Sequence, residues 1–224
     1  MTETSITQSE LRSGNSIARA TLVFAGLAAL VVLSYFFLDR QVAEALHPYT
    51  HGVRFFIWLT KIVGPITPLA SIAAAFVAAR ALTRGSLTPT ESAILRLCCA
   101  ILLAGVLTYE LKFAFGRTWP ETYIDNNPSY FGNGTYGFFP FHPGRAYESF
   151  PSGHTTAVSA IAGALWTLGP KLRWLGVALV LAVVIGLLGA DFHWLSDILA
   201  GGIVGGSTGL AAARIGRSRD PGAA

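Results

Sequence analysis

Charge is scarce in this chain. Asp, Glu, Lys and Arg make up only 12% of its 224 residues, about half the share near 25% that soluble domains carry. So few charges cannot clothe a water-exposed globule. With 52% hydrophobic residues and a mean hydropathy of +0.52, the chain is expected in a membrane. Cysteine is almost missing as well. Cys98 and Cys99 are adjacent, which is awkward for a structural disulfide and offers no metal-ligand spacing, so they are read as small packing residues. Lys/Arg-rich runs are absent too. The net charge of +4 is scattered over loop ends, which excludes a nucleic-acid partner.

What the chain does have is long apolar runs. Six membrane segments are expected: Ile17–Leu38, Thr67–Leu82 (extendable back through Ile62–Pro65), Ala93–Phe115, Gly153–Leu168, Trp174–Leu188 and Trp194–Ala213. A bilayer-spanning helix needs roughly 20 apolar residues, so several of these are short. The first run exceeds the roughly 7–15 residues of a signal-peptide core and is read as a retained span. The last is rich in Gly and Ala, which suits close helix packing. Phe55–Trp58, between Arg54 and Lys61, suggests a helix lying at the interface. Residues 117–151 form a long outer loop rich in Gly, Pro, Asn and aromatics, expected to be an ordered cap without long helices. The expected fold is therefore all-α, a six-span bundle over residues 17–214 with tails at 1–16 and 215–224.

Orientation follows from the basic residues. With the N-terminus in the cytoplasm, ten of the sixteen Lys and Arg fall inside: Arg12, Arg19, Arg80, Arg84, Arg96, Lys171, Arg173, Arg214, Arg217 and Arg219. Both termini are then expected inside, as in a bacterial inner or plasma membrane. Lys112, Arg117, Arg145, His154 and His193 all meet at the outer face.

Those polar residues define a candidate site. His193 and Asp197 are four apart, so on a helix they share one face. A carboxylate there takes the proton of one imidazole nitrogen and leaves the other free to attack. His154 lies 39 residues upstream, in Pro151-Ser-Gly-His154, at the start of another apolar run. Ser152 and Gly153 precede that helix, where free N–H groups and the dipole favour an anion. Lys112 and Arg117 can supply cationic contacts to phosphate oxygens. His193 would attack phosphorus and His154 would protonate the leaving oxygen. No metal or other cofactor is needed, because the cations neutralise the developing charge. Asp191 and Glu110 are read as interfacial or structural, and His142 as part of a loop turn. His47 and His51 are read as solvated. Trp119, Trp194, Tyr123, Tyr130 and Tyr147 are read as an aromatic belt.

Pro151-Ser-Gly-His154 and His193-x-x-x-Asp197 resemble the second and third signatures of the type 2 phosphatidic acid phosphatase family, which includes membrane lipid phosphatases and soluble vanadium haloperoxidases. The resemblance covers about Val63 to Gly206. It implies His193 as nucleophile, Asp197 as its orienting partner, His154 as general acid, and Ser152 and Gly153 as phosphate binders. The chain departs from that pattern twice. Trp119 stands where the first signature has arginine, and Gly186-Leu187 stand where the third has Ser-Arg. Arg117 or Arg145 is expected to fill the vacancy. The implied activity is hydrolysis of a lipid phosphate monoester or diphosphate. Phosphatidic acid, phosphatidylglycerol phosphate, undecaprenyl diphosphate and lipid A remain open as substrates, as do phosphotransfer to another lipid and a non-catalytic binding or transport role.

Overall fold

In a computed structural model the chain is all-helical, and no β-strand occurs among the described residues. The structure describes residues 3–123 and 126–215, with side chains from Ala18 onward. Of the expected tails, the side chains of residues 1–16 and all of residues 216–224 lie outside the described residues, and with them Arg12, Arg217 and Arg219.

The helices are α1 (Glu3–Phe37), α2 (Asp39–Thr50), α3 (Arg54–Lys61), α4 (Ile66–Arg84), α5 (Pro89–Phe115), α6 (Tyr130–Asn133), α7 (Gly153–Leu168), α8 (Arg173–Gly189) and α9 (Leu195–Arg214). Local chemistry sets several of the ends. Thr88 Oγ1 accepts the Glu91 N–H and Glu91 Oε2 accepts the Thr88 N–H, a reciprocal cap that starts α5 with Pro89 in its first turn. At the other end Gly116 takes φ 57°, and a Cβ there would lie 1.9 Å from the Phe139 carbonyl oxygen, so only glycine lets the loop fold back.

Five stretches are long and apolar enough to cross a bilayer: Ala18–Phe37, Arg54–Arg84, Pro89–Phe115, Pro170–Gly189 and Leu195–Arg214. The expected fourth span, α7, has only 16 residues, or ~24 Å of rise. It is the centre of the bundle, packed by α5, α8 and α9. The second span reaches back further than its apolar core suggested, because α3 continues it through the Ile62–Pro65 turn. The Phe55–Trp58 segment packs along α8, with Phe56 over Gly189 and Leu59 over Gly186. It is α2 that runs across the junction of α8 and α9.

Backbone-to-backbone packing joins α7 to α9. A Cβ on Gly201, Gly205 or Gly209 would lie 2.5, 2.1 or 2.2 Å from the carbonyl oxygens of Ser152, Thr156 and Ala160. These glycines recur every fourth residue, so one face of α9 is bare and the helices touch directly. The apolar core follows: Val158, Val183, Leu187 and Ile198 form one cluster, and Ala70, Cys98, Ile101, Ala104 and Ala160 another. Cys98 is thus the packing residue expected, while Cys99 is exposed.

Candidate active site

Three helix ends converge: the C-terminus of α5, the N-terminus of α7 and the turn between α8 and α9. The turn is tight, with Asp191 at φ 55°, and it delivers His193 just before α9. Asp197 sits in the first turn of α9. Its Oδ2 accepts the Trp194 N–H at 3.1 Å and lies 3.3 Å from His193 Nδ1. A carboxylate can only accept, so the proton belongs on Nδ1 and the lone pair on Nε2. Ser149 completes the arrangement: its hydroxyl donates to Asp197 Oδ2 at 2.6 Å and accepts from Nδ1 at 3.4 Å. Nε2 makes no hydrogen bond among the described residues. Burial pushes the His193 pKa below the ordinary imidazole value, against the opposing pull of Asp197, so the ring is neutral at neutral pH.

His154, in the first turn of α7, faces His193 with ring centroids 6.2 Å apart. Ser152 caps α7: its Oγ accepts from the Thr155 N–H and hydroxyl, and its own N–H donates to the Asp197 carbonyl at 3.0 Å. Ser152, expected to bind phosphate, thus ties α7 to α9 through its N–H and caps α7 with the acceptor side of its hydroxyl. What remains open to an anion are the N–H groups of Gly153 and His154, which have no partner within the helix. Lys112 lies beside them, its Cε 3.8 Å from where a Gly153 Cβ would stand. Its ammonium donates to the Glu148 carbonyl and lies 5.5 Å from the centre of the Trp119 ring.

Arg117, expected as a phosphate ligand, lies elsewhere in the site. It is fully buried behind Asp197, with Nη1 donating to Asp197 Oδ1 at 2.5 Å and to Ser196 Oγ at 2.6 Å, and Nη2 to Asp39 Oδ2 at 2.6 Å. The rings of Tyr35, Tyr136, Phe138 and Trp194 enclose it. Burial alone would lower its pKa, but the two carboxylates outweigh that and hold it above the ordinary arginine value. Arg145 is exposed, and its side chain makes no ion pair among the described residues. Its carbonyl accepts the Trp119 indole N–H at 2.9 Å, which places the residue at the rim.

The vacancies in the motif have physical causes here. Trp119 lies 5.0 Å from the His193 ring and forms a wall of the site. Leu187 is fully buried among Val158, Val183 and Ile198, a position that suits no guanidinium. The aromatic belt is corrected in part, because Trp194 is buried and donates to the Thr118 carbonyl. The solvated reading of His47 is also corrected, since its Nδ1 lies 2.8 Å from Asp191 Oδ2.

Sequence reasoning missed Asp39, Ser149 and Ser196. Asp39 accepts from Arg117, from the Ser196 N–H at 2.8 Å and from the Ser196 hydroxyl. A carboxylate at the end of an apolar run was the available signal. Ser149, a serine in a loop, carried none.

Two cavities meet at Lys112. One, of about 280 Å³, runs down among Ile101, Gly105, Gly153 and Ala157 between α5 and α7. The other, of about 320 Å³, opens toward His142, Pro143 and Gly144 of the loop. Such an arrangement offers a neutral nucleophilic imidazole, a second imidazole for proton transfer and cationic and N–H donors for an anion, with an apolar space beside them.

A helical membrane protein with two facing histidines at one end of its bundle is the class that fold and geometry define. The family model of the PAP2 superfamily matches residues 93–220, more than half of the chain, and the chain belongs to that superfamily. Lipid A 1-phosphatases from Rhizobium etli and Rhizobium johnstonii are 36% identical to it over 108 and 103 residues, 47% and 45% of this chain. They are matched over 43% and 38% of their own lengths, so the chain spans less than half of these curated relatives. A transmembrane PAP2-type phosphatidylglycerolphosphate phosphatase from Bacillus subtilis is similar at 18% identity with a TM-score of 0.45, covering 84% of this chain and 92% of that one.

Proposed function

We propose that this protein is a membrane-embedded phosphatase that removes a phosphoryl group from a lipid at the outer face of the membrane. The observation that carries the reading is the hydrogen-bonded His193–Asp197 pair facing His154, with Lys112 and the open N–H groups of α7 alongside. In the proposed reaction His193 Nε2 forms a bond to phosphorus as the bond to the leaving oxygen breaks. His154 gives that oxygen its proton. Water then attacks the phosphohistidine, His154 takes the water's proton, and His193 is released with inorganic phosphate. Lys112 and the N–H groups of Gly153 and His154 hold the phosphoryl oxygens, so the chemical step needs no metal.

The apolar cavity between α5 and α7 takes the lipid chain, while the loop-side cavity takes the rest of the head group. Residues 117–151 act as the cap over the site. Arg145 at the rim supplies the second cation when substrate is bound. With α7 counted as the sixth span, both termini lie in the cytoplasm, as the basic residues require. The named activities of the relatives make lipid A and phosphatidylglycerol phosphate the first substrates to try.

The test is phosphate release by the purified protein from a panel of lipid phosphates, with His193→Ala and His154→Ala beside the wild type. Release from at least one lipid is expected, with none from His193→Ala. Losing His154 should slow turnover by about 10²–10⁴-fold. Undiminished turnover in His193→Ala would remove the nucleophile from this scheme.

A further inference from the structure

We propose that His47, His51, Glu121 and Asp191 form a binding site for one divalent transition-metal cation of the Zn²⁺ class, clamping α2 and the 117–151 loop to the turn that carries His193. The site lies apart from the phosphoryl-transfer residues and takes no part in their chemistry.

His47 lies in the last turn of α2 and His51 caps it four residues on, with their ring centroids 4.5 Å apart. The ligand atoms of His47, His51 and Glu121 all lie within 4.8 Å of one another. Asp191 Oδ2 approaches both rings, 2.8 Å from His47 Nδ1 and 3.7 Å from His51 Nδ1. Glu121 Oε2 is 3.6 Å from the same His51 nitrogen. The donors of His47, His51 and Glu121 thus surround one point, with Asp191 Oδ2 against its two imidazoles. Bonds of about 2.0–2.2 Å to N and O put the ligands of a tetrahedral Zn²⁺ roughly 3.3 Å apart, a spacing the observed separations bracket. Small side-chain rotations suffice to close it.

Charge argues the same way. The Asp191 side chain is only 1% exposed, yet no lysine or arginine pairs with it among the described residues. A buried carboxylate with imidazoles as its only partners is poorly compensated. Two carboxylates and two neutral imidazoles balance a dication, and the imidazoles select a transition metal over Ca²⁺ or Mg²⁺. A surrounding layer already orients the ligands. Glu121 Oε1 accepts the Thr122 N–H at 2.7 Å, which leaves Oε2 free. Tyr123 donates to the Asp191 carbonyl, and the His47 ring stacks on Phe131 with centroids 3.9 Å apart.

The experiment titrates tag-free, chelator-stripped protein in detergent with Co²⁺. Saturation at a single ion per chain is expected, with the visible absorption of tetrahedral Co²⁺, displaced by Zn²⁺ and not by Ca²⁺ or Mg²⁺. Zn²⁺ should also raise the thermal midpoint. His51→Ala and Glu121→Gln should each weaken binding at least about tenfold, and matching midpoints of the metal-free proteins would show that their folds are intact. His193→Ala should bind as the wild type does. Phosphate release is not read, so the result is independent of the proposed activity. The site is ruled out by no saturable Co²⁺ absorption, by no rise in midpoint with Zn²⁺, by undiminished affinity in His51→Ala or Glu121→Gln, or by loss of binding in His193→Ala.

Discussion

At the scale of single residues, His193 is governed by two opposing influences. Burial holds it neutral and Asp197 pulls it toward the charged form. Protonating Nε2 removes its lone pair, so turnover should fall as pH drops through the His193 pKa. That acid limb should lie below the ordinary imidazole value of about 6.5. Asp197→Asn takes away the raising influence and also allows the amide to donate to Nδ1, which selects the wrong tautomer. The limb should then move to still lower pH while kcat falls by roughly 10³–10⁴. A pH–rate profile of both proteins reads the two effects together.

Arg117 and Arg145 make a second contrast at this scale. Arg117→Ala leaves Asp39 and Asp197 buried without their shared cation, a cost of about 3–5 kcal/mol, to be seen as a lowered thermal midpoint. Arg145 is exposed and engages the site by its backbone. Arg145→Ala should leave the midpoint unchanged and raise KM for the lipid substrate. If Arg117→Ala instead melted like wild type, the buried Asp39–Arg117–Asp197 chain would have no structural role.

Among the elements, the α7–α9 contact matters most, because each helix carries half of the site at its N-terminal end. Gly205 has the Thr156 carbonyl oxygen 2.1 Å from its would-be Cβ. Overpacking a core costs typically 1–3 kcal/mol, and here the obstructing atom is backbone, which cannot turn aside. Gly205→Val should therefore part the helices, lower the midpoint by several degrees and depress turnover, since His154 and His193 separate with them. Gly206 faces open space and is the control: Gly206→Ala should be silent in both measurements. The spanning helices were legible from apolar run length, and α9 from its glycines, whereas α2 is no apolar run and was not. The extent of the second span was not, because α3 reads as an interfacial segment until Phe56 and Leu59 are seen against Gly186 and Gly189.

For the molecule as a whole, the proposed topology makes one prediction. A reporter fused after Arg214 should be active only if it works in the cytoplasm, and one inserted in the 117–151 loop only if it works outside. A green fluorescent protein and alkaline phosphatase pair reads both. The opposite pattern would place His154 and His193 on the cytoplasmic face.

By itself the sequence determined the membrane setting and the helical class and singled out the trio of the proposed reaction, because charge scarcity, apolar run length and the spacing of His154, His193 and Asp197 are local properties. Only the tertiary structure decided how the other polar groups are used. It makes Arg117 the buried partner of Asp39 and Asp197, Ser152 a cap on α7, and Ser149 a support for Asp197. The roles of Arg117 and Ser149 depend on segments 48 to 80 residues apart meeting at one end of the bundle. A side chain's partner across such a distance is set by helix packing, which no local pattern records.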